Sequence, residues 1–173
     1  MRKVNKITIK EMSIFAMLGA IMYMSKILME WLPNVHLLGM LTMTYTLVFR
    51  KKALIPIYVY VFVNGLLAGF SLWWVPYLYI WTILWGVTML LPQKMSNKMK
   101  TVVYMTVCGL HGMLFGILYS PAQAILFGLS FKGMIAWIVA GFYFDLIHCI
   151  GNCFASLLII PLTSLLNSVK YKL

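Results

Sequence analysis

The amino-acid sequence predicts an all-α integral membrane protein, a single domain of six transmembrane helices with both termini on the cytoplasmic side. Three observations predict it. Hydrophobic residues make up 63% of the 173 positions and charged residues 10%, and the mean hydropathy is +0.94, which does not describe a water-soluble fold. The apolar stretches are helix-length and are separated by short segments rich in Lys, Arg or Pro. The formal charge of +11 sits in those separators rather than along one stripe, so it reports membrane orientation and not a nucleic-acid surface.

The first span covers residues 9–31, after a basic segment that begins like a signal peptide. The apolar run is too long and lacks a small-x-small cleavage site, so a retained helix is expected. Pro33 and Asn34 end it. A second, short span covers 35–49 and stops at Arg50, Lys51 and Lys52. The third covers 53–70, and the aromatic loop Ser71 to Val75 returns the chain at Pro76. The fourth covers 77–91 and ends at Pro92, and a basic segment leads into the fifth, 101–119. A longer connection from Ser120 to Gly133 carries Pro121 and is apolar enough to lie at the interface or fold back over a site. The sixth span, 134–160, precedes a basic tail.

Six spans put both termini on one side. Twelve of the fourteen Lys and Arg residues then fall on that side, with only Lys26 and Lys132 elsewhere. The positive-inside rule makes it the cytoplasm.

Candidate site residues centre on the sixth span. Only three acidic residues occur in the chain, and Asp145 is deep inside an apolar run. An ionisable group at that depth costs roughly 2.5 kcal/mol or more on insertion scales, so it faces a partner, a cavity or a ligand. At helical spacing Asp145, His148 and Asn152 share one face, with Gly141 a turn earlier. That face is read as ligand-facing, against the alternative of a closed polar network tying helices together. The segment Phe70 to Trp81 is the most aromatic in the chain. Most of it reads as an interfacial belt, with Trp74, Tyr77 and Trp81 as candidate walls against a planar ligand because they can share a face where the fourth span begins. Lys26 and Glu30, one turn apart, either neutralise one another or leave Lys26 to a ligand carboxylate. His36 and Asn34 are candidate contacts from the first outer loop. His111 and Asn64 read as polar glue between helices. Cys108, Cys149 and Cys153 read as packing residues, the Cys149–Cys153–His148 set being too incomplete for a metal. No cofactor or metal is expected. No nucleophile elbow, His-Glu-x-x-His or phosphate-binding glycine loop occurs, so neither an enzyme nor a self-powered pump is expected.

Six short spans, the small-residue stretch Ala16-Met-Leu-Gly-Ala20, the aromatic outer loop and the segment Gly141-Phe-Tyr-Phe-Asp-Leu-Ile-His-Cys-Ile-Gly-Asn152 together resemble a substrate-binding S component of an energy-coupling factor (ECF) transporter, over essentially the whole chain. The resemblance implies a vitamin-capture subunit in a bacterial or archaeal cell membrane, working with a transmembrane coupling subunit and two cytosolic ATPases. It implies that Ala16, Gly19 and Ala20 face the coupling subunit. It also implies that substrate is held near the outer surface by the outer loops and helices four to six, and that the subunit topples to release it inward. One carboxylate and many aromatics point to a planar heteroaromatic metabolite, and a lipoate-like carboxylate using Lys26 or Lys132 stays open. The rival expectation is a stand-alone channel or secondary carrier in which Asp145 and His148 titrate during turnover.

Overall fold

The computed structural model describes residues 7–170. Eight α-helices and two short 3-10 turns make up the described residues, with no strand among them. The helices are α1 (Ile9–Leu28), α2 (Leu38–Phe49), α3 (Leu54–Ala68), α4 (Tyr77–Leu90), α5 (Asn97–Met113), α6 (Phe115–Phe127), α7 (Phe131–Ser156) and α8 (Ile159–Lys170). Helix α1 opens with a capping box, Thr8 accepting from the Glu11 amide and Glu11 answering to the Thr8 amide.

The polarity of the bundle is inverted. Large apolar side chains cover the outside, among them Ile9, Leu90, Ile125, Val139 and Phe154. Thr42, Thr44, Thr46, Asn64, Thr88, His111, Asp145, His148 and Asn152 are buried. Three helical stretches are long and apolar enough to cross a membrane: Ile9–Leu28, Asn97–Phe127 and Phe131–Ser156. The surface therefore has the character of a membrane protein, in which backbone polar groups are satisfied within helices and apolar side chains meet lipid.

Helix α2 is the axis. Eleven of its twelve residues are buried, and it packs on α1, α4, α5, α7 and α8. A helix apolar all round belongs in the interior, and at 1.5 Å per residue this one is only about 18 Å long. The expected second span is thus a protein-covered core helix, with two of its hydroxyls folded onto its own backbone by Thr44 to the Met40 carbonyl (2.8 Å) and Thr46 to the Thr42 carbonyl (2.7 Å). The Tyr45 hydroxyl donates to the Leu18 carbonyl (3.2 Å), and the Thr42 hydroxyl is buried without a partner among the described residues.

The basic segments gather at one end. Lys52 pairs with Glu11, Arg50 Nη2 donates to the Met89 carbonyl (2.8 Å), and Lys170 Nζ donates to the Val48 carbonyl (2.7 Å). Arg50 reverses the chain after α2 with φ 55° and ψ −121°, a conformation costing on the order of 1–3 kcal/mol for a residue other than glycine. It is held there from α4 by its own guanidinium and by Trp85 Nε1 donating to its carbonyl (3.1 Å).

Helix five differs from the sequence expectation. It begins at Asn97 and continues through Pro121 to Phe127, in two lengths joined at Leu114, so the Ser120 to Gly133 connection shrinks to a turn at Gly128 (φ 64°). Pro121 cannot donate to the Ile117 carbonyl, and the Ser120 hydroxyl does so in its place (3.0 Å). The last span is likewise two helices, α7 and α8, divided at Leu157 and Leu158.

Candidate functional site

The site is positioned by a glycine seam. Gly109, Gly112 and Gly116 present one face of α5 and α6 to α7. A Cβ on Gly109 would meet Cys153 Sγ at 2.5 Å, and one on Gly112 would meet the Cys149 nitrogen and Asn152 Nδ2 at 2.9 Å; one on Gly116 would overlap the Asp145 carboxylate. Small residues at such positions allow close helix approach in membranes. They bring the shared face of Asp145, His148 and Asn152 into the interior, with Asp145 8% and His148 3% exposed and Asn152 fully buried.

Asp145 has a structural partner. The Gly116 amide, freed at the Leu114 joint, donates to both carboxylate oxygens at 3.1 Å. Asp145 thereby caps the N-terminus of α6 from another helix, satisfying a backbone donor that the break leaves without an intrahelical acceptor. Asn152 Nδ2 likewise donates to the Cys108 carbonyl (3.0 Å).

Behind Asp145 lies a continuous set of rings that brings together all three histidines of the chain. His36 stands edge-on to His148 at 4.4 Å, His148 to Phe115 at 5.0 Å, and Trp81 touches His36 (6.1 Å), His111 (5.7 Å), Phe115 (6.0 Å), Tyr60 (6.2 Å) and Tyr77 (6.0 Å). His111 Nε2 donates to the Ile80 carbonyl (3.3 Å). Yet His36 Nδ1, Tyr60 Oη, Trp81 Nε1, His111 Nδ1 and His148 Nε2 are buried and make no hydrogen bond among the described residues, and neither do Asn152 Oδ1 or the two amide atoms of Asn64. Buried polar atoms are paired in the great majority of cases, since leaving one unpaired costs about 1–3 kcal/mol. Five of these atoms belong to the one group of rings, a concentration that packing alone does not account for. No group of three His, Cys, Asp or Glu residues with metal-holding geometry occurs among the described residues.

An open cavity of about 340 Å³ adjoins this set at Phe115 and is lined by Asn34, Tyr119, Gln123, Trp137 and Asp145 besides; the residues with unbonded polar atoms stand behind Phe115 and do not line it. Its size fits the lower range of small-molecule pockets. Tyr119 and Trp137 stack at 5.7 Å and 16°, and the Tyr119 hydroxyl donates to the Trp73 carbonyl (2.8 Å), tying this wall to the aromatic loop. A larger cavity of about 430 Å³ on His36 has an almost wholly apolar lining that includes Met29, Val35, Ile147 and Phe154. It lacks the convergent polar groups that orient a metabolite.

The residues singled out in the sequence divide accordingly. Asp145 lines the cavity and Gly141 stands beside it, while His148, His36, Tyr77 and Trp81 belong to the ring set and Asn152 lies one turn beyond His148 on α7. Trp74 does not join them. It sits in the 3-10 turn before α4, donates to the Val61 carbonyl (2.8 Å) and packs edge-on to Phe70. Lys26 lies in the last turn of α1, and no ion pair with Glu30 forms among the described residues. Gly19 leaves the expected partner surface because a Cβ there would strike Val59 of α3, whereas Ala16 and Ala20 stay exposed. Sequence reasoning missed Tyr60, Phe115, Tyr119, Gln123 and Trp137 as site residues and took His111 for glue alone. The Gly109-x-x-Gly112-x-x-x-Gly116 spacing was the available signal. Comparison with protein-family models, curated proteins and solved structures finds no match.

Proposed function

We infer that this chain is the substrate-capture subunit of an ECF-type importer, binding a small, planar, heteroaromatic metabolite. One observation carries the reading: an aromatic-walled cavity lined by Asp145 adjoins, at Phe115, a buried set of rings in which five polar atoms lack protein partners. Flat π faces favour a ring compound. The mixture of indole, phenol, imidazole, amide and carboxylate groups can hydrogen-bond ring nitrogens and carbonyls.

In this reading six passes cross the bacterial or archaeal cell membrane with both termini in the cytoplasm, supported by the gathering of Arg50, Lys52 and Lys170 at one end. The coupling subunit docks on the exposed side of α1 at Ala16 and Ala20, and the two ATPases supply the energy. The test is native mass spectrometry of the purified protein, followed by pull-down from cells holding candidate coupling subunits. A retained ring compound together with co-purified coupling subunit and ATPases supports the reading. Uptake in vesicles holding this chain alone, without ATP, overturns it in favour of a stand-alone carrier.

A further inference from the structure

The basic end of the bundle holds a second built feature, unrelated to the metabolite cavity. Two contiguous cavities of about 320 and 360 Å³ share Lys100, Tyr104, Thr163 and Asn167, and the first is completed by Arg50 and Lys170. They lie where the ends of α2, α5 and α8 meet. Three cationic side chains converge on this space from three separate elements. None of them has a carboxylate partner among the described residues, where the single ion pair is Lys52 with Glu11.

Two of the cations are already fixed in place. Arg50 Nη2 bonds the Met89 carbonyl and Lys170 Nζ bonds the Val48 carbonyl, so each presents its charge from a restrained position while keeping donors free: a guanidinium carries five and an ammonium three. Between them the Thr163 hydroxyl is buried and makes no hydrogen bond, and Asn167 adds an amide one turn further along α8. Tyr104 is 6% exposed and forms an apolar side to the space. The lining also has an apolar share, with Leu47, Val48 and Leu91 in one cavity and Ile160 in the other.

We propose that these cavities bind a phosphate group, and that its source is the headgroup of an anionic phospholipid. A phosphodiester supplies the negative charge that Arg50, Lys100 and Lys170 lack and the acceptor that the Thr163 hydroxyl lacks. Basic pockets between helices at the cytoplasmic surface suit such headgroups, and a lining that mixes cations with Leu47, Leu91 and Ile160 matches a molecule with a charged head and hydrocarbon tails. A free phosphate shares the head chemistry but makes no use of the apolar residues in the lining.

The experiment measures lipid retention by native mass spectrometry, and thermal unfolding in detergent, for the full chain with phosphatidylglycerol, with phosphatidylcholine, and with inorganic phosphate at matched ionic strength. Phosphatidylglycerol is expected to remain bound and raise the midpoint, with phosphatidylcholine inert. Lys100→Gln is the informative variant because, unlike Arg50 and Lys170, its ammonium holds no backbone carbonyl; it is expected to weaken phosphatidylglycerol about five- to tenfold, the worth of one charge at a membrane surface. Thr163→Val removes the unpaired hydroxyl and checks the same site without altering charge. Equal retention of both lipids, or Lys100→Gln and Thr163→Val both binding as the parent does, overturns the proposal. Stabilisation by inorganic phosphate equal to that by phosphatidylglycerol overturns the lipid source.

Discussion

Asp145 lines the cavity and caps α6, and two substitutions separate those roles. In Asp145→Asn one amide oxygen remains where a carboxylate oxygen accepts the Gly116 amide at 3.1 Å. Asn and Asp are comparable caps, so the stability change should stay under about 1 kcal/mol. Asp145→Ala removes both acceptors and leaves the Gly116 N–H buried without a partner, which should cost about 1–3 kcal/mol. Toward the ligand the order changes. Asn replaces an acceptor by a donor, so a ligand that donates to this position should lose on the order of tenfold to a hundredfold in affinity, the equivalent of one hydrogen bond to a charged group. The assay pairs thermal unfolding in detergent with a binding titration of the co-purifying compound. Asparagine binding that compound as tightly as the parent would remove Asp145 from the ligand site. Alanine unfolding at the parent's midpoint would remove it from the cap.

Tyr60→Phe should be neutral or slightly stabilising, within about 1 kcal/mol, because the buried hydroxyl it deletes has no hydrogen bond; loss of ligand affinity without loss of stability, read in the same two assays, is the expected outcome. Gly112→Ala should destabilise by about 1–3 kcal/mol, since the new methyl meets the α7 backbone at 2.9 Å and backbone cannot turn aside as a side chain can; an unchanged unfolding midpoint would contradict the seam. Ala16→Leu with Ala20→Leu adds bulk to an exposed part of α1, so ligand affinity should be unchanged while co-purification with a coupling subunit falls, measured by pull-down.

How much of this was legible in the sequence depended on whether the signal was local. Helix positions followed from apolar run length, and the shared face of Asp145, His148 and Asn152 followed from helical spacing, because both are properties of a single segment. What covers a segment is not. An apolar run such as Leu38–Phe49 reads alike whether lipid or protein surrounds it, and here other helices surround it. Pro121 reads as a break until the Ser120 hydroxyl is seen answering the freed carbonyl. The meeting of His36, His111 and His148 lies beyond any single-segment pattern, since they come from the connection before α2, from α5 and from α7. The glycines at 109, 112 and 116 were visible and mark where α7 must come closest.

The seam also explains why the site and the fold are inseparable at some positions and separable at others. Asp145 and Asn152 each spend hydrogen-bonding capacity on the backbone of the helix they pack against, so they hold α7 to α5 and α6 whatever occupies the cavity. Tyr60, Trp81, His36 and His148 contribute ring contacts to the core while their named polar atoms stay unbonded. Packing needs the rings of these residues but not their heteroatoms. A phenylalanine in place of Tyr60 would serve the core as well. The unbonded atoms are therefore the ones the fold does not use, whereas the bonded polar groups also hold the architecture.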